Sequence, residues 1–329
     1  MMKYVSLPDP HEVHILPFYL SMEEYVARLV GDDDLFFTWQ VEPTVIFGRN
    51  QLMANEVNVD YCCQHDIAFY RRRSGGGCVY ADMDNVMMSY ITCSDDVQTT
   101  FARYTGAVAA MLRDMGLDAS DNSRNDVLIG DRKVSGNSFY HLSSGISIVH
   151  GTMLVDTDME HMLHALTPSH AKLDSKGVAS VRNRVTTLRE HLPSMTAEAF
   201  RNHARDVLCD GEVLLNDDDV HGIEDIMQGY LDPAFLNGSN PRCSLEKHAH
   251  IDGVGDMTVR IDMNHDIVTH IALTGDYFAL ADDIEATLNA CLKGVALEHD
   301  ALQAALSSCD MSRLVMNLEN NQFINLLTN

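Results

Sequence analysis

The stretch RRRSGGGCVYAD, residues 71–82, sets three arginines directly against three glycines. It follows a short apolar run, HDIAFY (65–70), and passes into a strand-like CVYA (78–81). Gly75, Gly76 and Gly77 have no Cβ, so the backbone there is free to take positive φ and to meet a ligand with bare N–H groups. Successive N–H groups in such a turn form a nest suited to phosphate oxygens. If the approach is a strand, alternation sends Arg72 to the face opposite Arg71 and Arg73, so at least one planar guanidinium points inward. The stretch is not a P-loop, because no GKS or GKT follows, and it lacks the GxGxxG of dinucleotide folds. Two readings stand: a phosphate cradle in an α/β domain, or a surface turn carrying three exposed arginines.

Outward from this turn the chain alternates strand and helix patterns. EEYVARL (23–29) reads as a short amphipathic helix, and LFFTWQ (35–40) and TVIFG (44–48) as strands broken by Pro43. VMMSYI (86–91) is a further strand. Residues 96–116 place Phe101, Tyr104, Val108, Met111 and Leu112 on one helical face and stop at Gly116. NDVLIG (125–130) and KVSG (133–136) form a hairpin turning at Gly130–Asp131–Arg132. SGISIVHGTMLV (144–155) is a strand pair or one long bent strand. Helices follow at 160–166, stopped before Pro168, and at 197–208. Residues 216–242, rich in Asp, Gly and Asn, are the least patterned and are expected to form a crossover. Beyond 246, MTVRID and DIVTHIALTG pair around Asn264–His265, and DIEATLNACLKGV and ALQAALSSC are helical. The expected fold is α/β: a large domain over residues 1–240 and a small α+β accessory domain over 246–329.

Lys133 sits between Gly130 and Gly136 in GDRKVSG. A lone lysine is usually a solvated surface group. A hairpin lysine flanked by glycines is also a means of fixing one cation beside developing oxygen charge, as acyl-phosphate chemistry requires.

Composition narrows the classes. The chain has 329 residues, a formal net charge of -25 and 46% hydrophobic residues. A broad nucleic-acid face needs clustered Lys and Arg, so nucleic acid is not an expected partner. Eight cysteines without a CxxC pair, no signal-peptide pattern and no run of 18 apolar residues point to a cytoplasmic protein with reduced thiols and no membrane span. The 16 histidines are scattered, and His161 and His164, three apart, are a weak metal signal.

Five stretches, VIFGRNQ (45–51), RRRSGGGCVYADMDN (71–85), SRNDVLIGDRKVSG (123–136), HGTMLVDTDM (150–159) and SKGVASVRNRVTTL (175–188), occur in an order that closely resembles the lipoate–protein ligase A family. The resemblance covers most of the chain. It implies a catalytic domain of the biotin/lipoate ligase type, activation of lipoate by ATP and Mg2+ to lipoyl-AMP, and transfer of the lipoyl group to a lysine. The implied acceptors are lipoyl domains of 2-oxoacid dehydrogenase E2 subunits and the glycine-cleavage H protein. By motif, Arg72, Gly75, Gly76, Gly77, Cys78, Val79 and Tyr80 fall in the ATP and lipoyl-adenylate site. Asn125 and Asp126 lie near the adenylate, and Lys133 contacts the carbonyl and phosphate of the intermediate. His150, Gly151 and Thr152 match the family's HGT element. Val45, Phe47, Val79 and Tyr80, together with His150 and Gly151, are candidate walls of an acyl tunnel; strand core is the other reading of the first four.

The resemblance has gaps. The family's His-Asp-x-Gly-Asn stands here as Ala81-Asp82-Met83-Asp84-Asn85, its GRND as Ser123-Arg124-Asn125-Asp126, and its His-His-Gly-Thr as Val149-His150-Gly151-Thr152. No W-x-W/Y-G segment is evident near 229–245. Metal ligands are not assigned. An octanoyl or lipoyl transferase working from a carrier, with Cys62, Cys63, Cys78 or Cys93 as nucleophile, and a non-catalytic lipoyl-domain-binding paralogue are the alternatives.

Overall fold

Eight strands of the computed structural model form one mixed sheet in the order β11-β1-β2-β6-β10-β9-β8-β7. They are β1 (Met2–Ser6), β2 (Asp34–Trp39), β6 (Asn85–Cys93), β7 (Ala119–Asp121), β8 (Asp126–Ile129), β9 (Arg132–His141), β10 (Ile146–Leu154) and β11 (Cys209–Leu214). The structure describes residues 2–94, 96–122, 125–142, 144–166, 184–238 and 243–328. A smaller sheet, β4-β3-β5, joins β3 (Thr44–Phe47) in parallel to β4 (Ala68–Arg71) and in antiparallel to β5 (Val79–Ala81). Both sheets belong to a first unit comprising Met1–Phe47, Ala54–Arg72 and Val79–Leu236.

Strand alternation divides the large sheet into two covered faces. On one face Leu35, Phe37, Trp39, Met87, Ile91 and Ile148 pack with the Leu16–Val26 and Asp217–Leu231 helices. On the other, the Val97–Asp114 helix brings Tyr104 against Tyr90, ring centroids 5.7 Å apart, and Phe101 against Phe139 at 5.1 Å. The 144–155 stretch is one strand, paired with β6 from Ile146 to Leu154.

Three local readings differ from the fold. The first helix starts at Leu16, with Pro17 in its first turn, rather than at residue 23. Its early residues are buried all round, so they carry no helical stripe. Strands β1 and β11 were not apparent, because their parallel pairing joins residues about two hundred positions apart. The 216–242 segment is not an unpatterned crossover. Asn216 caps a 15-residue helix by accepting from the Asp218 and Asp219 N–H groups, while Asp219 reaches back to the Asn216 N–H at 2.8 Å. This capping box, together with Ile223 and Tyr230 buried on one face, outweighs the poor helix propensity of its Asp and Gly residues.

The second unit comprises Gly48–Met53, Arg73–Cys78 and Asn237–Asn329. Its sheet is the antiparallel meander β12 (Leu245–Ile251), β13 (Gly255–Asn264) and β14 (Ile267–Gly275). His265 takes φ 55° in the turn between the last two strands. Helices at Ile284–Leu292, His299–Ala305 and Asn320–Thr328 complete a core of Met257, Val259, Ile271, Leu288 and Phe323.

Inside this unit, Gly76 donates its N–H to the Tyr277 carbonyl at 3.1 Å and has φ 80°. A Cβ at Gly75 would stand 2.4 Å from the same oxygen. Part of the glycine requirement is therefore backbone packing on Tyr277. Gly75→Ala is expected to destabilise the protein by about 1–3 kcal/mol, since a backbone oxygen must shift. Urea unfolding followed by circular dichroism measures this, and an unchanged midpoint would remove the packing role.

Candidate active site

The β8–β9 hairpin places Lys133. A bulge between Val127 and Leu128 offsets the register, and Lys133 sits opposite Leu128. Its backbone is clamped from the other side: the Lys133 N–H donates to the Arg184 carbonyl at 2.7 Å, and the Thr186 N–H donates to the Lys133 carbonyl at 2.8 Å. The side chain lies over Gly136, where a Cβ would meet Cε and Nζ at 2.6 Å each. Nζ is 2.7 Å from Asp126 Oδ1, and the side chain remains 38% exposed. This ammonium is fixed at its base and accessible at its tip.

Asp126 and Asn125 are themselves held. Asn122 Oδ1 accepts from the Asn125 N–H at 3.1 Å and the Asp126 N–H at 3.0 Å. Asn125 and Asn137 exchange bonds from each side-chain amide to the other's carbonyl. The Asn137 side chain occupies the space over Gly151, where a Cβ would come within 2.8 Å of Asn137 Cγ. Thr152 Oγ1 accepts from the Gly136 N–H at 3.3 Å. Lys133, Gly136, Asp126, Asn125, Gly151 and Thr152 thus form one hydrogen-bonded neighbourhood.

His150 projects to the opposite face from Gly151. Its Nδ1 lies 2.9 and 3.1 Å from the two carboxylate oxygens of Glu23, which is fully buried. Ser89 Oγ donates to Glu23 at 2.6 Å and accepts from Trp39 Nε1 at 2.9 Å. Glu23, Ser89 and Trp39 were not singled out from the sequence. The available signal was the pair Glu23–Glu24 following the largely apolar LPFYLSM, with Glu23 on the buried side.

Arg72 donates from Nη1 to the Ile46 carbonyl at 3.0 Å and from its N–H to the Phe47 carbonyl at 3.0 Å. Alternation set Arg71 on the face opposite Arg72, and the resemblance put Arg72 in the site. Yet Arg71 and Arg72 are each only 4% exposed. Strand β4 ends at Arg71, so the period-two rule stops there. Arg71 lies over the Phe47 ring at 4.7 Å and donates to the Leu236 carbonyl at 3.2 Å. Burial pushes its guanidinium down to about 10. Arg71→Ala is therefore expected to cost about 2 kcal/mol of stability through the lost ring contact and carbonyl bond. The loss should persist at high salt, because buried charges are poorly screened. Urea titrations at low and high salt test this; a salt-dependent or negligible loss would return Arg71 to the surface.

Val45 and Phe47 are fully buried in β3, and Val45 pairs with Tyr80, itself 2% exposed. Burial raises the Tyr80 phenol well above its usual range. Cys78 is half-buried and belongs, with Gly75–Gly77, to the second unit. In the altered Asp82–Asn85 element, Asp82 accepts from the Asp84 N–H at 3.0 Å and the Asp158 N–H at 2.9 Å. Burial raises its carboxyl above the usual value, these two bonds opposing the shift. Asp84, where the family has glycine, is exposed to solvent. Ser123, Arg124, Pro168 and most of the 175–188 stretch lie outside the described residues.

Comparison with known proteins places this arrangement. Residues 17–208 match the family described as the lipoyl protein ligase A/B catalytic domain, and residues 240–327 match the bacterial lipoate protein ligase C-terminus. The chain belongs to the lipoate–protein ligase A family. It is 31% identical over 340 aligned positions to lipoate–protein ligase 1 of Staphylococcus aureus (strain Mu50 / ATCC 700699), covering 99% of this chain and 100% of that one. It is 29% identical to the lipoate-protein ligase LplJ of Bacillus subtilis (strain 168), over 94% and 95% of the two chains. Among solved structures, a bi-partite lipoate protein ligase from Thermoplasma acidophilum, described with its E2 lipoyl domain, aligns at TM-score 0.63 and 25% identity. That alignment covers 74% of this chain and 98% of that one. P. falciparum LipL1, solved in complex with lipoate, shares the fold over 100% of this chain and 98% of its own at TM-score 0.76, with 14% identity. Family membership accords with the mixed α/β unit and separate C-terminal unit.

Proposed function

We propose that this protein is an ATP-dependent lipoate–protein ligase that makes lipoyl-AMP and passes the lipoyl group to a protein lysine. The observation that carries the reading is Lys133: an accessible ammonium clamped by two backbone bonds and held by Asp126 at 2.7 Å. In the first step a lipoate carboxylate oxygen bonds to the α-phosphorus of ATP and pyrophosphate leaves. In the second, the acceptor amine attacks the acyl carbon, AMP leaves, and the amine gives up its proton. Both steps build charge on oxygen, and a fixed cation stabilises it without reorganisation. The first also joins two anions, so Lys133 and Arg72 would offset their repulsion and align them. Asp126 and the space over Gly136 set the Lys133 tip. His150, anchored by buried Glu23, would help to line the acyl tail's path.

Among the described residues, no group of three His, Cys, Asp or Glu side chains is placed to hold a metal. This fits Mg2+ arriving with the nucleotide, which it binds through phosphates and water with few protein ligands. The proposed acceptors are lipoyl domains of E2 subunits and the glycine-cleavage H protein, and the proposed compartment is the cytoplasm. Among the described residues no helix is long and apolar enough to cross a membrane.

The transferase alternative needs a thiolate. Burial pushes the Cys62 thiol up to about 11, which disfavours that cysteine as a nucleophile. The deciding experiment is pyrophosphate exchange into ATP with purified protein. Exchange that requires lipoate supports the ligase. Acyl transfer from a carrier without ATP would select the transferase, and neither activity would select the binding paralogue.

A further inference from the structure

At the carboxyl ends of the parallel strands β1 and β2 lies a cavity of about 190 Å3. The ends of adjacent parallel strands are common ligand sites in α/β sheets. Tyr4, Tyr19, Phe37 and Trp39 supply its aromatic walls. Glu23, Ser89, His150 and Lys133 do not line it; Trp39, bonded to Ser89, and Phe37, paired with Ser89 across β2–β6, connect it to the His150 chain.

Arg201, from the Ala197–Leu208 helix, also lines the cavity. It donates from Nε to Thr38 Oγ1 at 3.3 Å and from Nη1 to Gln40 Oε1 at 3.0 Å. Both acceptors are neutral, and among the described residues no carboxylate is paired with Arg201. A guanidinium held by two neutral bonds in an aromatic pocket retains its attraction for an anion, and its planar fork suits a carboxylate. Glu12 stands at the rim, 60% exposed and 3.7 Å from His14 Nε2. A single arginine with a carboxylate at the rim favours a monoanion over a phosphate dianion. The volume, below that of a drug-sized site, limits the ligand to a small body.

We propose that this cavity binds a small monocarboxylate with an aromatic or compact apolar body, with Arg201 on the carboxylate and Tyr19 and Trp39 against the body. The test uses the full chain and its single tryptophan, Trp39, as reporter. Benzoate is expected to change the tryptophan fluorescence saturably at millimolar or lower concentration, while neutral benzyl alcohol has a much weaker effect. Arg201→Gln should weaken benzoate at least about tenfold, the scale of a lost charge-assisted bond. Because Arg201 also ties Thr38 and Gln40 together, a second variant is needed. Val13→Asp, at a cavity residue 45% exposed, should fold normally and weaken benzoate several-fold by repulsion, with benzyl alcohol unchanged. Lys133→Ala should leave benzoate binding as it is. The proposal is overturned by the absence of a saturable response, by equal binding of benzyl alcohol, by normal benzoate binding in Val13→Asp, or by loss of binding in Lys133→Ala.

Discussion

Lys133→Ala is expected to reduce lipoate-dependent pyrophosphate exchange by at least about a hundredfold, corresponding to roughly 3 kcal/mol for one preorganised charge contact. The fold should survive. The two backbone bonds that clamp residue 133 do not use its side chain, which is 38% exposed. Loss of the part-exposed ion pair to Asp126 should cost about 1 kcal/mol, too little to unfold the protein. Transfer from supplied lipoyl-AMP should fall as well, because amine attack builds an oxyanion at the same place. Lys133→Arg should not rescue either step. The guanidinium is longer and planar, and Asp126 and Gly136 shape the space for a compact ammonium. Exchange and single-turnover transfer, with urea midpoints as control, measure all of this. Undiminished exchange in the alanine variant would take Lys133 out of the mechanism.

The second large effect is on stability. His150→Ala is expected to cost about 3–5 kcal/mol, because it strips the imidazole from a fully buried carboxylate. Glu23 would keep only the Ser89 hydroxyl from this chain of partners. Replacing both members, Glu23→Met with His150→Leu, should recover most of the loss, since no charge then needs a partner. Urea unfolding of the single and double variants separates a pairing effect from simple loss of volume. A single-variant loss below about 1 kcal/mol, or a double variant no better than the single, would show that the pair does not hold this part of the fold.

Local pattern carried much of this protein. The apolar stripe of the Val97–Asp114 helix, the β8–β9 hairpin and the C-terminal β13–β14 hairpin were readable because each depends on residues close in sequence. The motif order likewise pointed to the family; Lys133 between two glycines carried weight only within that order. Its environment was not readable. Asp126 is seven positions away, but the clamp comes from Arg184 and Thr186, some fifty residues on.

What only the tertiary structure decided has a common cause: partners far apart along the chain. Glu23 meets His150 across 127 residues, and nothing local marks either as the other's counter-group. Strand β1 finds β11 by parallel pairing, which leaves no hairpin signal between them. Arg71 stood opposite Arg72 by alternation, yet at the last position of β4 it lies on the Phe47 ring. The three glycines read either as a phosphate cradle or as a surface turn. Their backbone also packs on Tyr277, two hundred residues away, where any Cβ at Gly75 would strike a carbonyl oxygen. Sequence periodicity reports which face of an element is apolar; it carries no record of which distant group will fill the space opposite, and here that choice sets the charges of the site.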